Sequence, residues 1–216
     1  MTQPDAGPAF REVEIDVSAL ARTITRALAL LPDGAPRVID LGADAFGCDA
    51  ALVAPVAHES GCSHALVGRV SEALALAPIA SGLTVVCSDP LATEAAADLD
   101  AAGVVIAHRN AASAIAALEH GVGAVAVMGD AGRGASGVPL DALDAVRAAA
   151  SDAGRELLVV DPAAVLGAAV FGLGDPDALG LPLDDPEPVM TLWAPVVGLK
   201  SVGGDEGVSY GYRYRT

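Results

Sequence analysis

The sequence predicts an α/β fold in which a parallel sheet of six or seven strands precedes a small C-terminal β-element. Three observations predict it. Short β-branched apolar runs recur between residues 37 and 172, few of them are broken by a polar residue, and helical segments separate most of them. Strands buried on both faces of a parallel sheet read this way, and strand–helix alternation at this spacing means repeated βαβ units.

The elements follow in chain order. Residues 1–10 hold two prolines and read as a disordered tail. REVEID (11–16) alternates acid with Val13 and Ile15 and predicts a strand. Ser18 is placed to cap the next helix, where Leu20, Ile24 and Leu28 recur every fourth residue. The buried-strand runs are RVIDL (37–41), HALVG (64–68), LTVVC (83–87), GVVIA (103–107), AVAVM (124–128), ELLVV (156–160) and AAVFG (168–172). The last two lie too close together for a full helix between them. Asp89–Pro90 predicts a helix start before ATEAAADLDAAG, and DALDAVRAAASDAG (141–154) predicts a helix that stops at glycine. Residues 174–188, rich in proline and aspartate, read as a linker. Beyond them 189–200 and 207–215 flank the turn-forming SVGGDE as a hairpin or two neighbouring strands. In 207–215, alternation puts Val208, Tyr210, Tyr212 and Tyr214 on one strand face, with Ser209, Gly211, Arg213 and Arg215 on the other.

Composition narrows the function. A formal charge of −16 argues against nucleic acid and anionic membranes, which require clustered cations. No apolar run approaches the ~20 residues of a membrane span. MTQPDAGPAF lacks the basic and apolar regions of a signal peptide, and Cys48, Cys62 and Cys87 show no metal-ligand spacing, so a cytoplasmic protein with buried thiols and no metal is expected. His58, His64, His108 and His120 form no metal pattern either; only His108 follows the C-terminal end of a strand, where parallel α/β proteins carry their chemistry. GRGASG (132–137) satisfies G-x-G-x-x-G, but in a chain this rich in glycine and alanine the match is cheap evidence for a dinucleotide. The chain has one lysine, Lys200.

Three stretches together carry a family resemblance. VEIDVSAL (13–20), LGADAFGCD (41–49) and APVVGLKSVGGDEGVSYGYRYRT (194–216) resemble, in this order, segments of alanine racemases, pyridoxal-phosphate enzymes with an α/β barrel and a C-terminal β-domain. SEALAL (71–76), GDAGRGASG (129–137) and GAAVFGLGDP (167–176) fall where further family motifs lie, which gives the glycine loop its better explanation. The resemblance implies an incomplete or open TIM-like barrel over 11–173, a linker over 174–188 and a partial β-domain over 189–216, with at least one βα unit missing. It also implies that the N-terminal strand joins the β-element.

The family's reaction needs a lysine that holds the cofactor and a tyrosine on the opposite face of the substrate. The lysine of K-A-D-A-Y-G falls on Gly42, its tyrosine on Phe46, and its histidine on Cys48. The arginine before P-G-I-A falls on Val165, and that of G-M-G-R-L-G on Ala135, two residues from Arg133. Gly167 and Ala168 retain backbone amides for a phosphate. Tyr210, the tyrosine of V-S-Y-G, is retained as the family's catalytic base, which reaches the partner's site. The resemblance therefore implies a racemase-like protein without a covalent cofactor. Its partner is a second copy or a full-length racemase, to which it could donate Tyr210. A residual racemase, a module that binds phosphate ligands, a decaying gene product and plain interface packing by the tyrosines are the alternatives.

Overall fold

The computed structural model describes residues 12–121, 123–130, 137–173, 187–196 and 198–216. It divides into two compact units, residues 15–190 and a smaller one of residues 1–14 with 191–216.

In the larger unit six parallel strands follow one another in the order β2-β3-β4-β5-β6-β7. They are β2 (Val38–Asp40), β3 (His64–Val67), β4 (Thr84–Cys87), β5 (Val105–His108), β6 (Ala124–Met128) and β7 (Glu156–Val160). Helices cross between them: α3 (Ala50–Glu59), α4 (Val70–Leu76), α5 (Ala96–Ala101), α6 (Ala111–Glu119) and α7 (Leu140–Ala153), with α1 (Val17–Leu28) ahead of β2. The result is a curled half-barrel, an incomplete TIM-like barrel. Strand alternation sorts the core into two layers. Val38, Leu66, Val86, Ala107, Ala126, Met128 and Val160 fill the inner face. Ile39, Ala65, Val67, Val85 and Cys87 turn outward onto α1, α3 and α4, and Val125 and Val127 onto α6 and α7.

Six of the seven runs that predict strands form them. AAVFG does not: Ala168–Phe171 is a 3-10 turn between Gly167 and Gly172, and Val170 and Phe171 are buried. Too few residues separate it from β7 for the dozen or more that a parallel crossover needs. The return to the sheet is a single parallel bridge, Leu166 to Ile39, in which Leu166 N–H donates to the Val38 carbonyl and Asp40 N–H to the Leu166 carbonyl.

The α1 cap is Asp16 rather than Ser18: its carboxylate accepts from Ser18 and Ala19 N–H, each at 2.9 Å. Aspartate one residue earlier in the extended chain has the geometry of an N-cap, and Ser18 is already helical. The start predicted at Asp89–Pro90 is also delayed. Asp89 closes a local turn onto Leu91 N–H, a 3-10 turn covers Ala92–Ala95, and α5 begins at Ala96. Helix α7 ends as predicted, with Gly154 left-handed at φ 61°.

In the smaller unit, β1 (Glu12–Ile15), which runs into the larger unit, pairs with β8 (Met190–Trp193), so the N-terminal strand does join the β-element. Among the described residues, 189–200 and 207–215 do not pair with each other. Residues 207–215 fold on themselves: β9 (Gly207–Val208) pairs antiparallel with β10 (Tyr214–Arg215), across a 3-10 turn at Tyr210–Tyr212. Gly211 at φ 79° and Tyr212 at φ 49° break the extended chain, so the alternating tyrosine face is lost. The segment 174–186 and most of GRGASG lie outside the described residues.

Candidate active site at the C-terminal ends of the strands

The inward-facing positions just beyond the strand ends are set by parity. Gly42 follows Val38 and Asp40, Gly68 follows Leu66, Ser88 follows Val86, and Arg109 follows Ala107. They surround the barrel mouth. A cavity of about 300 Å3 opens there, lined by Asp40, Gly42, Phe46, Arg69, Glu72 and Ser88 among others.

Gly42 opens α2 (Gly42–Gly47), a single turn that is left-handed: Ala43, Asp44, Ala45 and Phe46 have φ between 51° and 57°. Left-handed non-glycine residues each cost about 1–2 kcal/mol, so such a run persists only where its surroundings fix it. Carboxylates do so here. Asp40 accepts from Gly42 N–H at 2.8 Å, Glu72 from Ala43 N–H at 3.1 Å, and Asp44 from Ala50 N–H at 2.8 Å. Asp49 then caps α3 through Ala51 N–H. Phe46 leans onto the buried Phe171, ring centroids 5.2 Å apart at 49°.

Around the mouth, Asp89 ties the end of β4 to the start of α4 by accepting from Val70 N–H at 3.1 Å. Those amide bonds hold its carboxyl below the ordinary range. Arg109 donates to the Ser88 carbonyl at 3.2 and 3.4 Å. Burial pushes the Asp40 carboxyl above its ordinary range, against the Gly42 amide, and the neighbouring Glu72 charge pushes it the same way. The mouth thus presents two carboxylates held by backbone amides and a serine on its lining, with Arg69 and Arg109 as its cations. It can pair with charge and donate hydrogen bonds. Among the residues that line it none carries an amine.

The residues singled out in the sequence fall as follows. Gly42 and Phe46 are at the mouth. Val165 packs against the inner core layer. Gly167 and Ala168 open the 3-10 turn, and their amides have no acceptor among the described residues. Ala135 and Arg133 lie outside the described residues. Tyr210 and Lys200 belong to the smaller unit, and the Tyr210 side chain is outside the described part. Cys48, Cys62 and Cys87 are free and buried, and burial raises the Cys62 thiol to about 11.

His108 does end a strand, but parity turns it away from the mouth into the helix layer, and Arg109 takes the inward position. His64 faces the opposite, N-terminal end of the barrel beside Glu156. Composition and spacing missed Asp40, Glu72 and Arg109. Asp40 had a signal: an acid inside an apolar strand, on the same parity as Gly42.

A parallel α/β half-barrel with a left-handed turn and a cavity at the C-terminal end of its first strand has the architecture of an incomplete TIM-like barrel. Residues 15–160, more than half of the chain, match the family model for the N-terminal domain of alanine racemase, and the chain belongs to that family. No curated protein sequence matches it. Among solved structures, alanine racemase from Corynebacterium glutamicum superposes with a TM-score of 0.66 at 22% identity, over 90% of this chain and 71% of that one. Histidine racemase from Leuconostoc mesenteroides subsp. sake gives 0.67 at 17% identity, over 99% and 73%. Alanine racemase from Bartonella henselae, with covalently bound pyridoxal phosphate, gives 0.64 at 15% identity, over 97% and 73%. At these identities the likeness is one of fold.

Proposed function

We propose that this chain is a racemase-related protein that forms no covalent bond to pyridoxal phosphate and has no racemase activity on its own. The observation that carries the reading is Gly42. It stands at the barrel mouth where the family's lysine falls, it has no amine, and its amide is engaged by a carboxylate. A Cβ at this position would meet Asp40 Oδ1 at 3.0 Å, so the surroundings are built around a glycine. The other mouth residues agree poorly with the cofactor. Phe46 has no phenol and packs on Phe171, Val165 offers no guanidinium, and Asp40 puts a carboxylate among groups that would have to receive an electron-poor ring and its phosphate. The amides of Gly167 and Ala168 remain as a phosphate contact, too little to retain the cofactor.

The experiment is direct. Purified protein is mixed with pyridoxal phosphate, scanned for the absorbance of a covalent imine, and assayed for interconversion of L- and D-alanine. Neither is expected. Racemisation that disappears in Tyr210→Phe would establish a residual racemase and end this reading.

A second reading concerns association, and the surface of the smaller unit favours it. Leu192, Trp193, Val196, Leu199, Tyr212 and Tyr214 are all more than half exposed there, more apolar surface than a solitary small unit usually presents. We read residues 11–173 as the barrel, 174–188 as its linker and 189–216 as the partial β-domain. That β-domain joins a second copy or a full-length racemase in the cytoplasm, and Tyr210 is the residue it would donate. Light scattering on the protein alone and mixed with a full-length alanine racemase separates the two partners. A monomer in both samples rejects the reading.

A further inference from the structure

The helix layer has a gap over β5. Helix α5 is a single short element, Ala96–Ala101, and α6 turns its buried residues, Ala114 and Leu118, toward α7. Ile106, in the middle of the sheet, is only half-buried as a result. The gap is a cavity of about 510 Å3 floored by Val104, Ile106 and His108 and walled by Ala96 of α5 with Ala116 and Ala117 of α6. Alanine on both walls leaves the room that leucine would fill.

One buried polar group stands in it. His108 is only 6% exposed, and its Nδ1 lies 3.1 Å from Ser113 Oγ. The serine hydroxyl donates its own proton to the Asn110 carbonyl at 3.1 Å. With the hydroxyl proton assigned to the Asn110 carbonyl, the serine oxygen accepts and the proton of the imidazole is assigned to His108 Nδ1. Burial keeps the ring neutral, since it lowers the affinity of His108 for a second proton. Nε2 is then a bare lone pair with no partner among the described residues. His120, which also lines the cavity, likewise uses Nδ1, donating to the Ala116 carbonyl at 2.6 Å. Exposed Asp100 on the α5 wall disfavours an anion.

We propose that this cavity is a binding site for a small, uncharged, apolar molecule carrying one hydrogen-bond donor, of the phenol or indole class, whose donor is accepted by His108 Nε2. The size suits such a ligand, and an apolar cavity of this kind gains by filling with carbon rather than water. The site lies on the outer face of the sheet, away from the barrel mouth, and owes nothing to the family's chemistry. It holds whether or not the protein racemises alanine.

Phenol and its methyl ether, anisole, test it. They share shape and apolar surface, and only phenol donates. Full-length protein is titrated with each, followed by calorimetry and by the 15N resonances of the histidine rings. Phenol is expected to bind saturably and about fivefold or more tightly than anisole, the worth of one hydrogen bond, and to move His108 Nε2. Ala117→Leu is expected to weaken both probes. His108→Ala is expected to erase the difference between them. Equal affinities, absence of saturable phenol binding, or an unmoved Nε2 resonance would each overturn the proposal. The two wild-type readouts decide it even if the histidine variant does not fold.

Discussion

Gly42→Lys, which puts a lysine where the proposal places the family's, is the sharpest perturbation of the mouth. The new Cβ would sit 3.0 Å from Asp40 Oδ1 and 3.8 Å from Gly68 N. The second distance is ordinary contact; the first requires the carboxylate to move. That oxygen is the acceptor of the 2.8 Å bond from Gly42 N–H, so moving it lengthens a charge-assisted bond of the kind worth about 1.5–3 kcal/mol. The lysine ammonium can pair with Asp40 and return about 1 kcal/mol at a partly exposed site. The net cost is about 0.5–2 kcal/mol, which for a chain of this size lowers Tm by roughly 1–8 °C.

The same pairing decides the chemistry. A carboxylate beside an amine favours the charged form, and an ammonium is no nucleophile. Gly42→Lys alone is therefore expected to show no imine absorbance with added pyridoxal phosphate at neutral pH. The double variant Gly42→Lys/Asp40→Val is expected to show it, at a further loss of stability because the acceptor of Gly42 N–H is gone. Thermal unfolding and visible spectra of the two variants supply both readouts. A single variant that unfolds at or above the wild-type temperature and takes up the cofactor covalently would refute the claim that Asp40 organises the mouth around glycine.

Other outcomes follow from the same geometry. Burial raises the Asp40 carboxyl, so the folded chain keeps its proton to higher pH than the unfolded chain does. Stability then falls as pH rises through the window just above the ordinary aspartate value. Asp40→Asn keeps an acceptor for Gly42 N–H, and its advantage over wild type in urea unfolding should grow across that window and level off above it. Thr23 Oγ1 is buried in α1 with no hydrogen-bond partner among the described residues. Thr23→Val should raise stability by about 1 kcal/mol, read as a higher urea midpoint at unchanged slope. Gly82 has φ 96°, and a Cβ there would meet the His58 ring at 2.8 Å. Gly82→Ala should cost about 1–2 kcal/mol, a residue of strain remaining even after His58 swings aside.

The sheet was legible because burial on both faces leaves a strong mark. VVIA and AVAVM are short, rich in β-branched residues and preceded by glycine, which favours buried strands over helix. Glycine at 154 told where α7 stops for a local, steric reason. The errors occur where the outcome depends on what lies across space. AAVFG is as apolar as a strand, and its residues are buried, but β7 ends too near for a crossover. GVSYGYRYR alternates like a strand, yet Tyr212 takes a left-handed conformation and β9 turns back on β10. Gly42 and Phe46, singled out through the motif, line the cavity at the barrel mouth. Glu72 and Arg109 were not legible, because their role comes from register between strands and helices far apart in sequence. His108 does lie at the C-terminal end of its strand, but the strand-end position says nothing of the face, and parity turns it outward.

The left-handed turn at 43–46 joins these strands of argument. Four alanine, aspartate and phenylalanine residues in a strained conformation have no local reason to adopt it. What fixes them is the ring of acceptors at the mouth, Asp40, Asp44 and Glu72, with the Phe46–Phe171 contact at the far end. Strain of this kind persists where surroundings over-determine it, and that is the physical signature of a site rather than of a connector. The strained turn thus coincides with the barrel mouth, at the position where the proposal puts the family's lysine. Relaxation of the turn in Glu72→Gln/Asp40→Asn, seen as faster amide exchange confined to residues 42–48, would show that the carboxylates hold it. Unchanged exchange there would assign the turn to core packing by Phe46 instead.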